Sequence, residues 1–363
     1  MNKANDSQNS GGAWMIYGAT GYTGLRLARM AKKRGLLPVL AGRNAVALEL
    51  LGAELGLPWR AFNLDDTAAS QAALSDMNVV AHCAGPYSAT SKPMLDTCLA
   101  VGCHYADLTG EVDVILAAQA HDAAAKHAGI TVITGAGFDV IPTDCIAAVL
   151  KQALPDATHL TLGFSGLDDL SPGTLKSSLE SVGKGMSKVR VQSALVDIPY
   201  FSRNKVLNFA DGKGSVNAFN IPWADVATAY FSTGIPNIEV YVPRSSAMAR
   251  SMSLLKPFVR LLRNQSLVSA LKRLVDLVVK GPGTAAYENG TCHVIGEVHN
   301  ARGDVRRAHL RTPNGYCLTV DGMLMTVSHL LAHPESNGFH TPTTLMGSRC
   351  VERLSGVSTI TLS

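Results

Sequence analysis

Gly18, Gly21 and Gly24 fall in the run Gly18-Ala19-Thr20-Gly21-Tyr22-Thr23-Gly24, a GxxGxxG turn placed directly after the short apolar stretch Trp14 to Tyr17. Glycine has no Cβ, so the backbone amides of such a turn can approach a pyrophosphate, and the N-terminus of a following helix favours the same negative charge. A site for NAD normally has an acid after the second strand to hold the ribose hydroxyls, but here Gly42-Arg43-Asn44 stands in that place. A guanidinium can bond a 2′-phosphate in a fork while stacking beside adenine, so the expected cofactor is NADP. The bland alternative for Arg43 is a solvated surface side chain. Asp65 either contacts adenine or caps the helix that starts near Thr67.

Three further segments carry polar groups at strand ends. His82-Cys83-Ala84-Gly85-Pro86-Tyr87 is a small-residue turn in which Ala84, Gly85 and Pro86 can shape the backbone beside a nicotinamide ribose. Tyr87 either reaches toward the reacting groups or packs the turn. Asp107, in Tyr105-Ala106-Asp107-Leu108-Thr109-Gly110-Glu111, can face a cleft, whereas Glu111 suits the first turn of a helix. Asp139, in Gly135-Ala136-Gly137-Phe138-Asp139-Val140-Ile141-Pro142-Thr143-Asp144, is placed to orient a substrate or pass a proton. Thr143 and Asp144 have the simpler reading of a helix start.

The elements that must position these residues follow from periodicity. Tyr22 to Lys33 has helical spacing and stops at Gly35. Leu36 to Ala41, Trp59 to Leu64, Val79 to Cys83, His104 to Leu108 and Ile130 to Thr134 read as strands, separated by helices near 47–55, 67–74, 91–101 and 112–127. Strands alternating with helices at this pace predict a parallel sheet covered on both faces. After a helix over Thr143 to Leu150 the pattern turns to irregular strands and glycine-rich turns, and alternation in Thr291 to His299 and Arg306 to Arg311 predicts an antiparallel pair joined through Gly303-Asp304. The expected fold class is α/β, a Rossmann-type parallel-sheet nucleotide domain with a second mixed α+β domain. The expected division is 1–139, joined by C-terminal helices from about 318 to 363, and 140–317 as a substrate or dimerisation domain.

Composition narrows the function classes. The chain has 363 residues, 47% hydrophobic and 17% charged, which suits about two globular domains. A net charge of +4 is too mild for a whole-surface nucleic-acid binder. Seven widely spaced cysteines without a CxxC pair suggest reduced thiols in a cytoplasmic setting, not a disulfide framework or thiolate zinc site. His329 and His333 share a helix face, but no third ligand is near in sequence, and no metal is expected. The polar first dozen residues do not read as a signal segment, and no run approaches the length of a membrane span.

GATGYTG, LAGRN, CAGPY, YADLTGE and GAGFDVIPTD occur in this order, followed by KGPG, TPNGY and GFHTPTTLMG. Together they resemble the saccharopine dehydrogenase-like oxidoreductases, and most of all the branch that contains bacterial trans-acting enoyl reductases. The resemblance implies an NADP domain in which Gly18 to Gly24 hold the pyrophosphate, Arg43 and Asn44 lie near the adenosine phosphate, and Gly85 to Tyr87 border the ribose or nicotinamide. It implies a reductase acting on an enoyl group of a hydrophobic or carrier-bound substrate, with an imine or amino-acid reductase as one alternative; the absence of an evident catalytic donor motivates another, a non-catalytic NADP(H) sensor or partner-binding protein. In an enoyl reduction a donor must stabilise the developing enolate. Tyr87 ranks first for that task, with Asp107 and Asp139 as members of a polar network. No Tyr-x-x-x-Lys pair occurs, so the usual short-chain dehydrogenase arrangement is missing.

The stretch Arg244 to Lys280 carries +7 against +4 for the whole chain, and Leu254, Phe258, Leu262 and Leu271 fall on an apolar stripe within it. Such a segment suits peripheral contact with an anionic membrane surface or an acyl chain. It equally suits a core-covering helix or the face of a homo-oligomer.

Overall fold

A computed structural model describes residues 12–167, 186–246 and 283–363, with a few scattered positions between them. Most of the basic amphipathic stretch, including Phe258 and Leu262, lies outside the described residues. The chain divides into two compact units. One comprises residues 1–108, 117–134 and 323–340, the other 109–116, 135–322 and 341–363.

The first unit is built on β1 (Trp14–Tyr17), β2 (Val39–Gly42), β3 (Trp59–Ala61), β4 (Val79–His82), β5 (His104–Asp107) and β6 (Thr131–Ile133). A late strand, β15 (Gly338–His340), completes a seven-stranded sheet in the order β15-β6-β5-β4-β1-β2-β3. Every pairing in it is parallel. All four residues of β1, β2, β4 and β5 are buried, as expected of strands with both faces covered, and β3 is an exposed edge. Helix α1 (Tyr22–Lys33) buries Gly24, Leu27, Ala28 and Ala31, the i, i+3, i+4, i+7 stripe of an amphipathic helix. Helix α2 (Ala45–Leu55) starts on Asn44, whose side-chain oxygen accepts from Ala47 N, and α3 (Thr67–Leu74) starts on Asp66, which accepts from Ala69 N. Helix α4 (Tyr87–Val101) begins four residues earlier than its apolar spacing suggests, because Pro86 has the extended backbone of an N-cap. The chain changes unit within α5 (Val112–Gln119), and α6 (Asp122–Ala128) returns it to β6.

The second unit opens with α7 (Ile141–Ala153) and β7 (His159–Ser165), followed by the hairpins β8 (Met186–Val191) with β9 (Ala194–Pro199) and β10 (Asn204–Asn208) with β11 (Ser215–Asn220). Next come α8 (Asp225–Thr233), β12 (Asn237–Pro243), the short α9 (Thr284–Asn289), β13 (Thr291–His299) and β14 (Val305–Pro313). The β13–β14 pair is antiparallel from Thr291 opposite Pro313 to His299 opposite Val305, as the alternation predicts. Alternate residues of β13 are buried, and Gly296 leaves room for Ile146 and Leu150 of α7. The mixed sheet runs β10-β11-β12-β7-β13-β14-β16, the last being Thr361–Leu362, with β8 and β9 off β12. Helix α10 (Gly315–Ala332) crosses back toward the first unit's residues at 323. The stretch Thr343 to Leu354 is not one helix: α11 (Pro342–Met346) stops at Gly347 (φ +91°), and a 3-10 turn spans Cys350–Arg353 before β16 (Thr361–Leu362).

Candidate nucleotide site and buried acids

In the first unit the glycine turn is held by strand β2. The amides of Gly18 and Ala19 both donate to Ala41 O, at 2.8 and 3.0 Å, and Gly18 takes φ +87°. A methyl group on Gly24 would collide with Gly18 O, so the third glycine lets α1 start directly against the first. No side chain caps α1 and its first turn contains no acid. That leaves the positive end of a 12-residue helix facing an exposed Thr20 and Gly21, the arrangement that takes a phosphate. Tyr22 is occupied by the Arg26 guanidinium, 3.7 Å above its ring, and Thr23 is half-buried beside it.

Arg43 is exposed just past β2 and makes no ion pair among the described residues. Asn44 spends its oxygen on the α2 cap, at 3.1 Å from Ala47 N, which leaves its amide nitrogen directed elsewhere. Asp65 is exposed and accepts from Asn63 Nδ2 at 3.2 Å; the helix cap is its neighbour Asp66. Arg43 and Asp65 both act on the phenol of Tyr17: burial pushes that group up, Arg43 opposes the rise and Asp65 adds to it. These two side chains therefore border the same strand end.

The turn after β4 packs against the first glycine. A Cβ on Gly18 would come within 2.9 Å of the Ala84 Cβ. Gly85 is exposed and Pro86 half-buried. The Tyr87 hydroxyl donates back to His82 O at 3.1 Å, and its ring meets the His82 imidazole edge-on at 5.4 Å. Asp107 is fully buried and accepts from the Tyr105 hydroxyl at 2.7 Å, which also lies 3.1 Å from Ser91 Oγ. Cys83 feels this carboxylate: burial first, then Asp107, pushes its thiol up to about 12. His82, Thr90, Ser91 and Tyr105 were not singled out by sequence, although the strand ending in His82 and the helix carrying Thr90 and Ser91 both were.

In the second unit Asp139 precedes α7. Its carboxyl lies close to Gly110, where a Cβ would come within 2.8 Å of Oδ2, and burial pushes it up to about 7. No hydrogen bond to that carboxyl is found among the described residues. Asp144, in the first turn of α7, is a hub: it accepts from Ser232 Oγ of α8, from Thr343 N at 3.0 Å and from Thr343 Oγ1 at 2.7 Å. Asp225, the first residue of α8, is fully buried with neither oxygen hydrogen-bonded. Burial raises it well above the usual carboxylate range; the nearby Thr143 hydroxyl opposes the rise, and the charges of Asp144 and Asp139 add to it. Glu111 sits just before α5, its amide donating to Thr109 Oγ1 at 3.1 Å and its carbonyl accepting from Val114 and Ile115. Cys145 is a packed thiol, 3.4 Å from Cys350 Sγ. No group of three or more histidine, cysteine or acidic side chains that could hold a metal is present among the described residues. No helix among them is long and apolar enough to cross a membrane.

Residues 14–133 match the family model for the saccharopine dehydrogenase NADP binding domain. In sequence this segment is similar to the nucleotide domain of saccharopine dehydrogenases. The segment includes every glycine-turn and strand-end residue of the first unit described above. Trans-acting enoyl reductases of Mycobacterium leprae and Mycobacterium ulcerans are each 31% identical to the chain, over 153 and 155 residues. Each match covers 40% of this chain and 37% of the relative. A Mycobacterium tuberculosis relative is 30% identical over 203 residues, 51% of this chain and 48% of that protein. The matches thus span about half the length of these curated relatives, or less. Among solved structures, apo saccharopine dehydrogenase (L-Glu forming) from Saccharomyces cerevisiae aligns with a TM-score of 0.65 at 10% identity, covering 97% of this chain and 99% of that one. Homospermidine synthase from Legionella pneumophila, in complex with NAD, aligns with the same score and identity over 97% and 91%. At that identity the likeness is one of fold alone.

Proposed function

We propose that the chain is an NADPH-dependent oxidoreductase that reduces an enoyl group on a hydrophobic or carrier-bound substrate. The cofactor choice rests on Arg43, exposed and without an ion pair among the described residues, at the strand end where an NAD site would carry an acid. The uncapped α1 and the glycine contacts fit a pyrophosphate. Gly18 to Gly24 would hold it, Arg43 and the Asn44 amide the adenosine 2′-phosphate, Asp65 the adenine side, and Ala84 to Pro86 the nicotinamide ribose. A nicotinamide bound there supplies the hydride. The enoyl class is supported by the names of the mycobacterial relatives.

The chain must supply the proton. Tyr87 has its hydroxyl directed at His82 O, and Asp107 is sealed beneath Tyr105. Tyr87 is the better placed of the two, at the end of the turn read as the nicotinamide border. To act, its hydroxyl would exchange His82 O for the substrate carbonyl oxygen, stabilise the enolate as the β carbon gains hydride, and give its proton to that enolate, the phenolate recovering a proton from water.

Fluorescence titration of the parent and R43A with NADPH and NADH tests the cofactor assignment. The parent should prefer NADPH, and R43A should lose about 10- to 100-fold for NADPH alone, the worth of charge-assisted bonds to a phosphate. Preference of the parent for NADH would overturn the assignment, and no binding of either would overturn the enzyme reading. A second reading, an NADP(H) sensor without turnover, is supported by the engaged Tyr87 hydroxyl. Tight binding with no hydride transfer to a panel of enoyl thioesters, imines and ketones would favour it.

A further inference from the structure

The Thr90 hydroxyl, in the first turn of α4, is within hydrogen-bond distance of three groups. They are Ala84 O at 2.6 Å, Pro86 O at 3.1 Å and His82 Nε2 at 3.0 Å. The two carbonyls can only accept, so the hydroxyl proton is directed to them, chiefly to Ala84. The imidazole must then be the donor to Thr90. This assigns the His82 tautomer by hydrogen-bond logic: the proton is on Nε2, and Nδ1 is a bare lone pair. Nδ1 is buried and has no hydrogen-bond partner, and burial pushes the imidazole down to about 3. His82 is thus a permanently neutral donor of fixed orientation.

The turn between these residues is held from several sides. Cys83 N donates to Tyr17 O at 2.8 Å, the Ala84 and Pro86 carbonyls are drawn to Thr90, and Ala84 abuts Gly18. A displacement of Ala84 would press on the first glycine or open a gap beside it. Neither Thr90 nor His82 needs to reach a bound dinucleotide to govern where this backbone lies.

We infer that Thr90 and His82 are positioning residues for the nicotinamide end of the cofactor, acting through the Ala84 to Pro86 turn. The inference rests on the reading of that turn as the nicotinamide border. It separates the two ends of the dinucleotide, because the adenosine end is held by Arg43 and Asn44 at the other strand.

The test compares NADPH with 2′,5′-ADP, which carries the adenosine end and no nicotinamide, by calorimetric titration of the parent, T90V and T90S. T90V keeps the shape of the side chain and removes its hydroxyl. NADPH should weaken about tenfold in T90V, the effect of one or two net hydrogen bonds, while 2′,5′-ADP stays within about twofold and T90S restores NADPH binding. Unchanged NADPH binding in T90V would overturn the inference, and so would equal weakening of both ligands. Should T90V lack a cooperative thermal transition, H82F, which keeps the ring and loses the Nε2 donor, is held to the same two criteria. If the parent binds neither ligand, the nucleotide reading itself fails, an outcome distinct from a parent that binds both and a variant that does not discriminate.

Discussion

His82 and Asp225 are both fully buried, and burial removes the charge from each, yet the two regions treat their polar groups in opposite ways. At the ends of β4 and β5 each buried side chain is anchored by at least one partner: His82 through Nε2 with Thr90, its Nδ1 having none, and Asp107 with Tyr105, which itself meets Ser91. At the first turns of α7 and α8, Asp144 gathers donors from Ser232 and Thr343, while Asp225 has none and Asp139 stands beside Gly110 unbonded. Hydrogen bonds to an ionised carboxyl stabilise its charge, and their absence leaves a dry carboxyl protonated. The first region fixes geometry with protons that stay in place. The second keeps protons that are held only by the cost of ionising.

Tyr87, at the head of α4 in the first region, offers the sharpest way to break this contrast. In Y87F, the rate of NADPH oxidation with an accepted substrate should fall about 10²- to 10⁴-fold, as for loss of a general acid, while NADPH binding stays within about twofold. A Y87F enzyme with the parent's rate would take the donor role from Tyr87.

The next effect is on stability. His82 has its folded pKa depressed from 6.5 to about 3, so below 6.5 the unfolded chain binds a proton that the folded one refuses. Stability should therefore drop as pH falls below 6.5, by about 2–3 kcal/mol at pH 4.5, and H82F should flatten that part of the denaturation profile. The smallest effects distinguish the two helix-start aspartates by sign. D144N turns an amide toward donors and should cost about 1–3 kcal/mol in urea denaturation at neutral pH. Asp225, raised in the folded state, loses stability as pH climbs above its unfolded value near 4, and D225N should abolish that loss and unfold at higher urea than the parent at pH 8. Destabilisation by D225N equal to that of D144N would mean the two carboxyls are not handled differently.

Much of the first region was legible in the sequence, because its information is local. Gly18, Gly21 and Gly24 announce a turn through their own missing Cβ, and the stripe through Gly24, Leu27, Ala28 and Ala31 needs only helical spacing. Arg43 and Asn44 could be placed because they directly follow β2. The α4 start was displaced from Ser91 to Tyr87 because a proline with extended backbone serves as N-cap, and apolar periodicity does not register that. His82 and Thr90 leave no joint signal in the sequence because they are eight residues apart and meet only after strand, turn and helix have closed. In the second unit the alternation of β13 and β14 was visible, but the hairpins β8–β9 and β10–β11 depend on which distant strand they join. Asp225 carries no signal at all by itself. Its lack of partners is a property of the packing around α8, and a lone acid before an alanine-rich run looks like any helix start.

Strand β15 gives the nucleotide sheet an unusual schedule. Its six earlier strands are synthesised by Ile133, but the seventh, Gly338–His340, leaves the ribosome some two hundred residues later. Until then β6 is a bare edge of hydrogen-bonding groups, open to other nascent chains. The late strand is fastened by local contacts as well as by the ladder: Phe339 N donates to Asp122 Oδ1 at 2.9 Å, and Thr131 Oγ1 bonds Ser336 O. A fragment ending at residue 134 would thus carry the whole glycine turn and yet be prone to aggregate. Recombinant work on the cofactor site is better served by the full chain, or by supplying residues 323–340 in trans.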